Sequence, residues 1–272
     1  METIKNMEKI CIEGIALEYA YIRAADAHQT ELRPVIVMLH EALGSVRMWR
    51  DFPQRLSDFC GCDVLVYSRG GYGWSDPVPP RQISYMHHEG QVVLPQLLQA
   101  LEIERPVLFG HSDGSSIALI CAGSTQTPLA GVVVLAPHEF VEEEALIGIR
   151  EAKERYEQPD GRFRSRLGRY HADVDDVFSR WWKIWLSDAF RSWDITSCLS
   201  DIHCPVLAIQ GENDEYGTLR QIDIIAEKAS NVTLLALPQC GHSPHKDQPQ
   251  AVLEATRDFI DRLTGSPRRN AG

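Results

Sequence analysis

Short apolar runs recur along the chain, and each has the length and composition of a buried β-strand. They cover residues 35–39, 64–67, 106–109, 132–135, 205–209 and 232–237. Before them, residues 10–21 alternate around Gly14 in a pattern typical of a hairpin. Helical spacing falls between the runs, at residues 45–59, 83–101, 115–122, 217–229 and 248–264. This alternation predicts a mostly parallel sheet with helices on both faces, and such sheets bind ligands at the carboxyl ends of their strands.

Residues 138–200 interrupt the alternation, because they contain no strand-like run. They hold four of the six tryptophans, and one predicted helix within them is apolar on two sides. One side carries Val177, Trp181, Ile184 and Trp185, and the other carries Phe178 and Trp182. A helix of this kind has to be covered twice. We therefore predict a helical cap, the cap segment (residues 138–200), over the active edge of a core domain formed by residues 1–137 and 201–272. Ordinary packing of each tryptophan is the alternative.

The sequence Gly-His-Ser-Asp-Gly at residues 110–114 stands between an apolar run and a predicted helix. A turn in this position lifts the Ser112 hydroxyl out of the sheet and places the next backbone N–H groups at a helix N-terminus. The flanking glycines leave room for the strained backbone of such a turn. We interpret Ser112 as a nucleophile, and the alternative is an ordinary turn in which the serine caps the helix.

A serine hydroxyl is a weak nucleophile, so it needs a base within hydrogen-bonding distance and an acid that orients the base. The candidate base is His242, which follows a glycine in the loop after the last predicted strand. His245, the nearby alternative, stands at the entrance of the last helix and is expected at the surface. The candidate acid is Asp214, in the loop after residues 205–209, with Glu212 as the alternative carboxylate.

The same chemistry needs two N–H donors that face the oxyanion formed during the reaction. The residue after the nucleophile supplies one of them, here the backbone of Asp113. The other usually comes from a loop after an early strand. That loop corresponds to residues 40–45, and Ala42 is the candidate donor in it.

The order Ser112, Asp214, His242 along the chain is the order found in the α/β-hydrolase fold. With residues 40–49, the glycine-rich residues 68–75 and the turn at residues 110–114, it makes the chain resemble the α/β-hydrolase superfamily. The resemblance covers essentially the whole chain and is to the cap-bearing, esterase-like branch. It implies an eight-stranded, mostly parallel sheet flanked by helices, with these three residues as a catalytic triad.

Three positions depart from the pattern of that superfamily. Glu41 stands where a glycine commonly follows the histidine of the oxyanion loop. Ser68 replaces the usual aspartate before Arg69, and Ser115 replaces the second glycine after the nucleophile turn. A carboxylate beside the oxyanion loop would oppose an anionic intermediate. Glu41 therefore either points away or has a function of its own.

The substrate pocket is expected to include His40, Glu41, Trp181, Trp185 and Arg191, and the tryptophans suggest an apolar or aromatic substrate moiety. Residues 150–169 contain seven arginines and lysines against four acidic residues. One of these arginines could bind a substrate carboxylate in a bidentate manner. A solvated face of the cap with paired charges is the plainer interpretation.

Composition narrows the classes of partner. The net charge of −11 argues against nucleic acid and anionic membrane surfaces. No apolar run approaches the roughly 18 residues of a membrane span, and the first nine residues lack the apolar segment of a secretion signal. Seven cysteines fit a reducing compartment, and the pair at residues 60 and 62 is too isolated for a metal site. We expect a cytoplasmic monomer or homodimer that acts on a small molecule without cofactor or metal.

The expected activity is hydrolysis of a small, partly apolar carboxylic ester or lactone through an acyl-enzyme. A C–C bond hydrolase of aromatic ring-cleavage products is an alternative, although such relatives often carry Ser-Met-Gly-Gly at the nucleophile turn. A cofactor-free oxygenase or perhydrolase uses the same scaffold. A non-catalytic binding protein of this fold would often have lost a triad residue, and this chain keeps all three.

Overall fold

The computed structural model describes residue 4 and residues 6–25 and 33–265. Within these ranges eight strands form one sheet, in the order β1-β2-β4-β3-β5-β6-β7-β8. The strands are β1 (Glu8–Ile12), β2 (Ile15–Ile22), β3 (Ile36–Leu39), β4 (Val64–Tyr67), β5 (Val107–His111), β6 (Gly131–Leu135), β7 (Val206–Gly211) and β8 (Val232–Leu237). Each begins within two residues of a predicted run.

The sheet is mostly parallel. The hairpin of β1 and β2 is antiparallel, and β2 also pairs antiparallel with β4. All pairs from β4 through β8 are parallel. The predicted eight-stranded, mostly parallel sheet of the α/β class is therefore confirmed. Its parallel strands share one carboxyl edge, where β5, β6 and β7 end side by side.

Helices occupy the intervals between the strands. Those outside the cap segment are α1 (Phe52–Cys60), α2 (Tyr85–His88), α3 (Leu94–Ala100), α4 (Asp113–Ser124), α8 (Arg220–Lys228), α9 (Pro244–Asp247) and α10 (Pro249–Thr264). A π-helical turn, Glu89–Val93, separates α2 from α3. Pro95 lies at the start of α3 and has no N–H for an α-helical hydrogen bond, which accounts for the interruption. The predicted helix at residues 83–101 is thus present, with a break.

The central strands send alternate side chains into two apolar cores, one on each face of the sheet. Leu108 and Val134 belong to the core covered by α2, α3, α4 and α8. Phe109 and Val133, their neighbours in sequence, belong to the core covered by α1 and α10. Because both faces are covered, the strands read as continuous apolar runs, and the sheet forms a rigid base for the loops at its carboxyl edge.

The cap segment is helical. It contains α5 (Glu143–Tyr156), α6 (Arg162–Leu167), α7 (Val174–Trp185) and two short 3₁₀ turns, Asp188–Phe190 and Thr196–Asp201, of which the second ends one residue beyond it. Helix α7 is covered on two sides. Phe178 stacks on Tyr156 of α5 with ring centres 3.8 Å apart, whereas Trp181 faces Tyr216 of the core at 6.3 Å. The apolar character of α7 on two sides therefore corresponds to two different contacts.

Over the residues that the structure describes, no helix combines the length and the apolar character needed to cross a bilayer.

Candidate active site

The candidate nucleophile lies at a sharp turn between β5 and α4. Ser112 has a φ of 53° and a ψ of −120°, a conformation that non-glycine residues rarely adopt. Its N–H donates to the Leu135 carbonyl at the end of β6 (2.9 Å), and its own carbonyl accepts from the Ser115 N–H (2.8 Å). Strain of this kind persists only where the surroundings hold it in place, and it collects at functional sites.

Two flanking glycines are required by close backbone approaches. A Cβ atom at Gly114 would lie 2.1 Å from the Leu39 carbonyl oxygen, and one at Gly110 would lie 2.5 Å from the Ser115 backbone. Ser115, which departs from the superfamily pattern, is also fixed. Its hydroxyl donates to the Leu135 carbonyl (2.9 Å) and accepts from the Leu135 N–H (3.1 Å). The departure at this position thus ties α4 to β6.

Ser112, His242 and Asp214 lie in one hydrogen-bonded row. The Ser112 Oγ is 3.0 Å from His242 Nε2, and His242 Nδ1 is 2.8 Å and 3.0 Å from the two carboxylate oxygens of Asp214. Asp214 also accepts from the Tyr216 N–H (2.9 Å) and from the Gln210 amide (3.2 Å). With the carboxylate at Nδ1, the proton of the neutral imidazole stays on that atom and Nε2 is free to accept from serine.

The charges in this row favour that arrangement. Burial opposes ionisation of Asp214, but His242 and the hydrogen bonds to the carboxylate outweigh it and lower the pKa of Asp214. Burial would lower the pKa of His242, but Asp214, Glu41 and Glu215 outweigh it and raise that pKa. The protonated form of the imidazole is therefore stabilised, which is the form it would take if it accepted a proton from Ser112.

The structure separates these residues from the alternatives. Glu212 is exposed and is no partner of His242. The expectation that His245 lies at the surface is wrong. Only 5% of it is exposed, because the short helix α9 turns its ring inward, 4.7 Å from the Trp49 ring and 4.8 Å from that of His111. Burial keeps the pKa of His245 well below its ordinary value.

The loop after β3 is held by Arg69, which is 1% exposed. Its guanidinium donates to the carbonyls of His40 (2.5 Å) and Glu41 (3.1 Å), and its backbone N–H donates to His40 Nε2 (3.1 Å). His40 Nδ1 in turn contacts the Glu41 carbonyl at 2.6 Å. Among the described residues, the Ala42 N–H has no hydrogen-bond partner. His40, predicted as a pocket residue, thus fixes the loop and does not line the cavity described below.

Glu41 neither points away from the site nor stands there unpaired. Its carboxylate is 3.3 Å from Lys246 Nζ and 3.9 Å from His111 Nδ1. Burial raises the pKa of this carboxyl, but Lys246 and the imidazoles of His111 and His242 outweigh it and lower the pKa to about 2. The negative charge is therefore present at neutral pH, balanced by a lysine of the short helix α9.

Asp113, the residue after the candidate nucleophile, has its own buried partners. Its Oδ2 accepts from the Tyr85 hydroxyl (2.5 Å) and lies 3.9 Å from Arg69 Nη2. The Tyr85 oxygen also accepts from the indole N–H of Trp185 in the cap segment (3.3 Å). As the first residue of α4, Asp113 has a backbone N–H with no intrahelical acceptor. A polar chain therefore runs from the cap segment to one candidate oxyanion donor.

A small cavity of about 70 Å³ lies beside Ser112. It is lined by Glu41, Ala42, Leu43, Ser112, Asp113, His138, Ala145, Ile149, Trp181, Trp185, Tyr216 and His242. Seven of these were singled out by sequence. Leu43, His138, Ala145, Ile149 and Tyr216 were missed. For two of them a signal exists, since His138 lies three residues beyond β6 and Tyr216 two residues beyond Asp214 at the same edge.

Arg191, which we expected in the pocket, lies outside the cavity. It directly follows the 3₁₀ turn Asp188–Phe190, and its side chain is 53% exposed and pairs with Asp188, three residues earlier, at 3.5 Å. Four of the seven basic residues of 150–169 likewise have an acidic partner, as Arg150 has in Glu143. Arg164 pairs with Asp175. These contacts agree with the plainer interpretation, a solvated face.

Within the described part of the chain, no group of three or more histidine, cysteine, aspartate or glutamate side chains is arranged to hold a metal ion.

Comparison with known proteins gives one family and several relatives. The profile described as “Alpha/beta hydrolase family” matches residues 36–255. RutD of Pseudomonas syringae pv. syringae (strain B728a) is 27% identical over 254 residues, covering 84% of this chain and 93% of that protein. The serine hydrolase BPHL of Homo sapiens is 24% identical over 266 residues, covering 93% of this chain and 85% of that protein. The crystal structure of proline iminopeptidase from Mycobacterium smegmatis superposes with a TM-score of 0.72 at 16% sequence identity, covering 96% of this chain and 99% of that protein.

Proposed function

The chain belongs to the alpha/beta hydrolase family, and from that premise we propose that this hydrolase cleaves a small, partly apolar carboxylic ester or lactone through an acyl-enzyme on Ser112. The observation that supports the proposal most directly is the row from Ser112 to Asp214, with contacts of 3.0 Å and 2.8 Å, at a cavity. A nucleophile, a base and an orienting acid are the parts that acyl transfer requires.

In the proposed first half-reaction, His242 Nε2 takes the proton of the Ser112 hydroxyl while Oγ bonds to the carbonyl carbon. The carbonyl π electrons move to oxygen, and the N–H groups of Ala42 and Asp113 stabilise this oxyanion. When the intermediate collapses, the bond to the leaving oxygen breaks. The imidazolium returns its proton to that oxygen, and an alcohol departs.

In the second half-reaction, water takes the place of the alcohol. His242 removes a proton from the water as its oxygen bonds to the acyl carbon, and a second tetrahedral oxyanion forms. The Ser112–acyl bond then breaks, and the proton on the imidazolium returns to the serine oxygen. The products are the free acid and the original enzyme, so hydrolysis consumes only water.

The cavity supports a small substrate. Its volume of about 70 Å³ is well below the roughly 300–1,000 Å³ of sites for drug-sized ligands. Leu43, Ala145, Ile149, Trp181 and Trp185 give it an apolar wall, and α5 and α7 contribute four of these five. An acyl or alcohol group of a few carbons fits this wall.

The first test replaces the nucleophile. Ser112→Ala should lower kcat/KM for p-nitrophenyl esters by about 10⁴-fold or more, and a fluorophosphonate should no longer label the protein. Ser45→Ala is the matched control, because Ser45 is buried near the site but its hydroxyl has no hydrogen-bond partner among the described residues. A kcat/KM of Ser112→Ala close to the wild-type value would refute the assignment of Ser112 as the nucleophile.

A substrate panel separates the remaining alternatives. It should contain p-nitrophenyl esters of increasing acyl length, a small lactone, an aryl carbamate and a ring-cleavage dienoate. The carbamate is included because RutD is named for carbamate hydrolysis. Preference for the short esters or the lactone supports the proposal. Preference for the dienoate points to C–C cleavage. The absence of both fluorophosphonate labelling and turnover points to a binding protein.

A further inference from the structure

His138 has no place in the reaction described above, yet it lines the same cavity as Ser112 and His242. It follows β6 by three residues and is 3% exposed. Its ring centre lies 5.7 Å from that of His242 and 5.1 Å from that of Trp185, which it meets nearly edge-on. His138 is therefore a polar side chain on a cavity wall that α5 and α7 otherwise make apolar.

The ring nitrogens of His138 have no hydrogen-bond partner among the described residues. Nδ1 is fully buried, so Nε2 is the ring nitrogen that can meet a ligand in the cavity. Three nearby histidines differ, whereas His245, whose Nδ1 is likewise buried without a partner in the described ranges, lies outside this cavity. His40 and His111 each bind a backbone carbonyl through a ring nitrogen, and His171 binds the Gly73 N–H and the Leu43 carbonyl. A buried polar group without a partner is costly, and in a native structure it needs an explanation.

The protonation state limits what His138 can bind. Burial and the charge on His242 lower the pKa of His138 to about 3. The ring is thus neutral at physiological pH and has one N–H donor and one acceptor nitrogen. A hydroxyl, which both donates and accepts, can pair with Nε2 in either tautomer, whereas a carboxylate can pair with Nε2 only when that atom carries the proton.

We propose that His138 is a specificity-determining residue that hydrogen-bonds a hydroxyl group of the substrate, close to the scissile carbonyl. The proximity follows from the geometry, since the His138 ring centre is 5.7 Å from the His242 ring centre, and His242 Nε2 is 3.0 Å from Ser112 Oγ. The inference rests on the proposed function and narrows it to hydroxy-substituted esters. The polar group lies on the acyl side or on the alcohol side.

Two pairs of esters, alike in size, test the inference. On the acyl side, a p-nitrophenyl ester of 2-hydroxypropionate is compared with that of 2-methylpropionate, in which methyl replaces hydroxyl. On the alcohol side, a 2-hydroxyethyl ester is compared with the propyl ester of the same acid. Each kcat/KM ratio is divided by the ratio for alkaline hydrolysis, which removes the difference in intrinsic reactivity.

The wild-type protein should prefer the hydroxylated ester in one pair by about 10- to 100-fold, as expected when an analogue leaves one buried polar group unpaired. In His138→Phe that preference should disappear, because the hydroxylated ester loses more turnover than the apolar ester does. His138→Asn, which retains a donor and an acceptor, should restore part of it. A merely structural role would lower turnover of both esters alike.

Two outcomes overturn the inference without touching the proposed function. One is a wild-type protein that hydrolyses both esters of each pair at equal corrected rates, a result that needs no variant to fold. The other is a preference that survives in His138→Phe. A wild-type protein that hydrolyses neither these esters nor the esters and lactone of the substrate panel would instead refute the proposed function itself.

Discussion

Removal of one hydroxyl, in Tyr85→Phe, should destabilise the protein markedly. The Tyr85 oxygen donates to the carboxylate of Asp113 (2.5 Å) and accepts from the Trp185 indole (3.3 Å). Asp113 is almost fully buried, and its other oxygen has no partner among the described residues. The nearest cation is Arg69, at 3.9 Å, beyond hydrogen-bonding distance. The phenol is thus the one close donor to this carboxylate side chain in the described part of the chain.

The size of the effect follows from these contacts. A hydrogen bond to a charged group contributes about 1.5–3 kcal/mol, and the buried indole N–H left behind adds about 1 kcal/mol. The sum is close to 3 kcal/mol, a large part of the 5–15 kcal/mol that is usual for a folded domain. Burial raises the pKa of Asp113, and Arg69 and Tyr85 oppose that rise. Loss of the phenol therefore moves the carboxyl towards its neutral form, which limits the cost.

Urea denaturation, followed by linear extrapolation, measures this difference. Tyr67→Phe is the matched control, because Tyr67 is fully buried and its hydroxyl has no partner among the described residues. The same atom is removed there without loss of a hydrogen bond, so no loss of stability is expected, and relief of the unpaired buried hydroxyl should raise the free energy of unfolding. If Tyr85→Phe and Tyr67→Phe lower the free energy of unfolding equally, the hydrogen bond to Asp113 has no special role.

Two further carboxyl groups give predictions in pH. Because Glu41 raises the pKa of His242, Glu41→Gln should move the acid limb of the pH profile of kcat/KM to lower pH. Glu212 is exposed and is not hydrogen-bonded to His242, so Glu212→Gln should leave that limb in place. Equal profiles in the two variants would contradict this. Neither oxygen of the fully buried Glu139 has a partner in the described ranges, and burial raises its pKa well above the ordinary value. The folded state keeps a proton that the unfolded chain loses above about pH 4.3, so stability falls as pH rises. Glu139→Gln should lack that fall in urea denaturation, and an unchanged slope would refute the reasoning.

The fold was accessible to sequence reasoning because its signals are local. Residues 64–67 and 232–237 form strands with the predicted bounds, since a short apolar run between turn residues is typical of a buried strand. The nucleophile turn is equally local, and its glycines are needed where backbones approach within a few ångströms. Parallel strands then place Ser112, Asp214 and His242 at one edge, so their distances followed from topology.

The rest of the site depends on side-chain direction, which the sequence does not give. Nothing in the residues around His245 tells that its ring turns inward against Trp49, and helical spacing does not show that Arg191 faces solvent. The place of His138 in the site is still harder to predict from the sequence. It stands in a loop, and its significance lies in the absence of partners, which only coordinates can show.

The conflict at Glu41 shows why a departure from a family pattern has to be judged with its neighbours. A lone carboxylate beside the oxyanion loop would oppose an anionic intermediate, but Lys246, 205 positions along the chain, lies 3.3 Å from it. The charge of Asp113 is balanced in the same way, because Arg69, from a different loop, lies 3.9 Å from its carboxylate. Arg69 also donates to the carbonyls of His40 and Glu41. Each carboxylate near the candidate oxyanion donors is therefore matched by one cation from a distant segment. The negative charge that raises the pKa of His242 is thus balanced beside the candidate oxyanion donors.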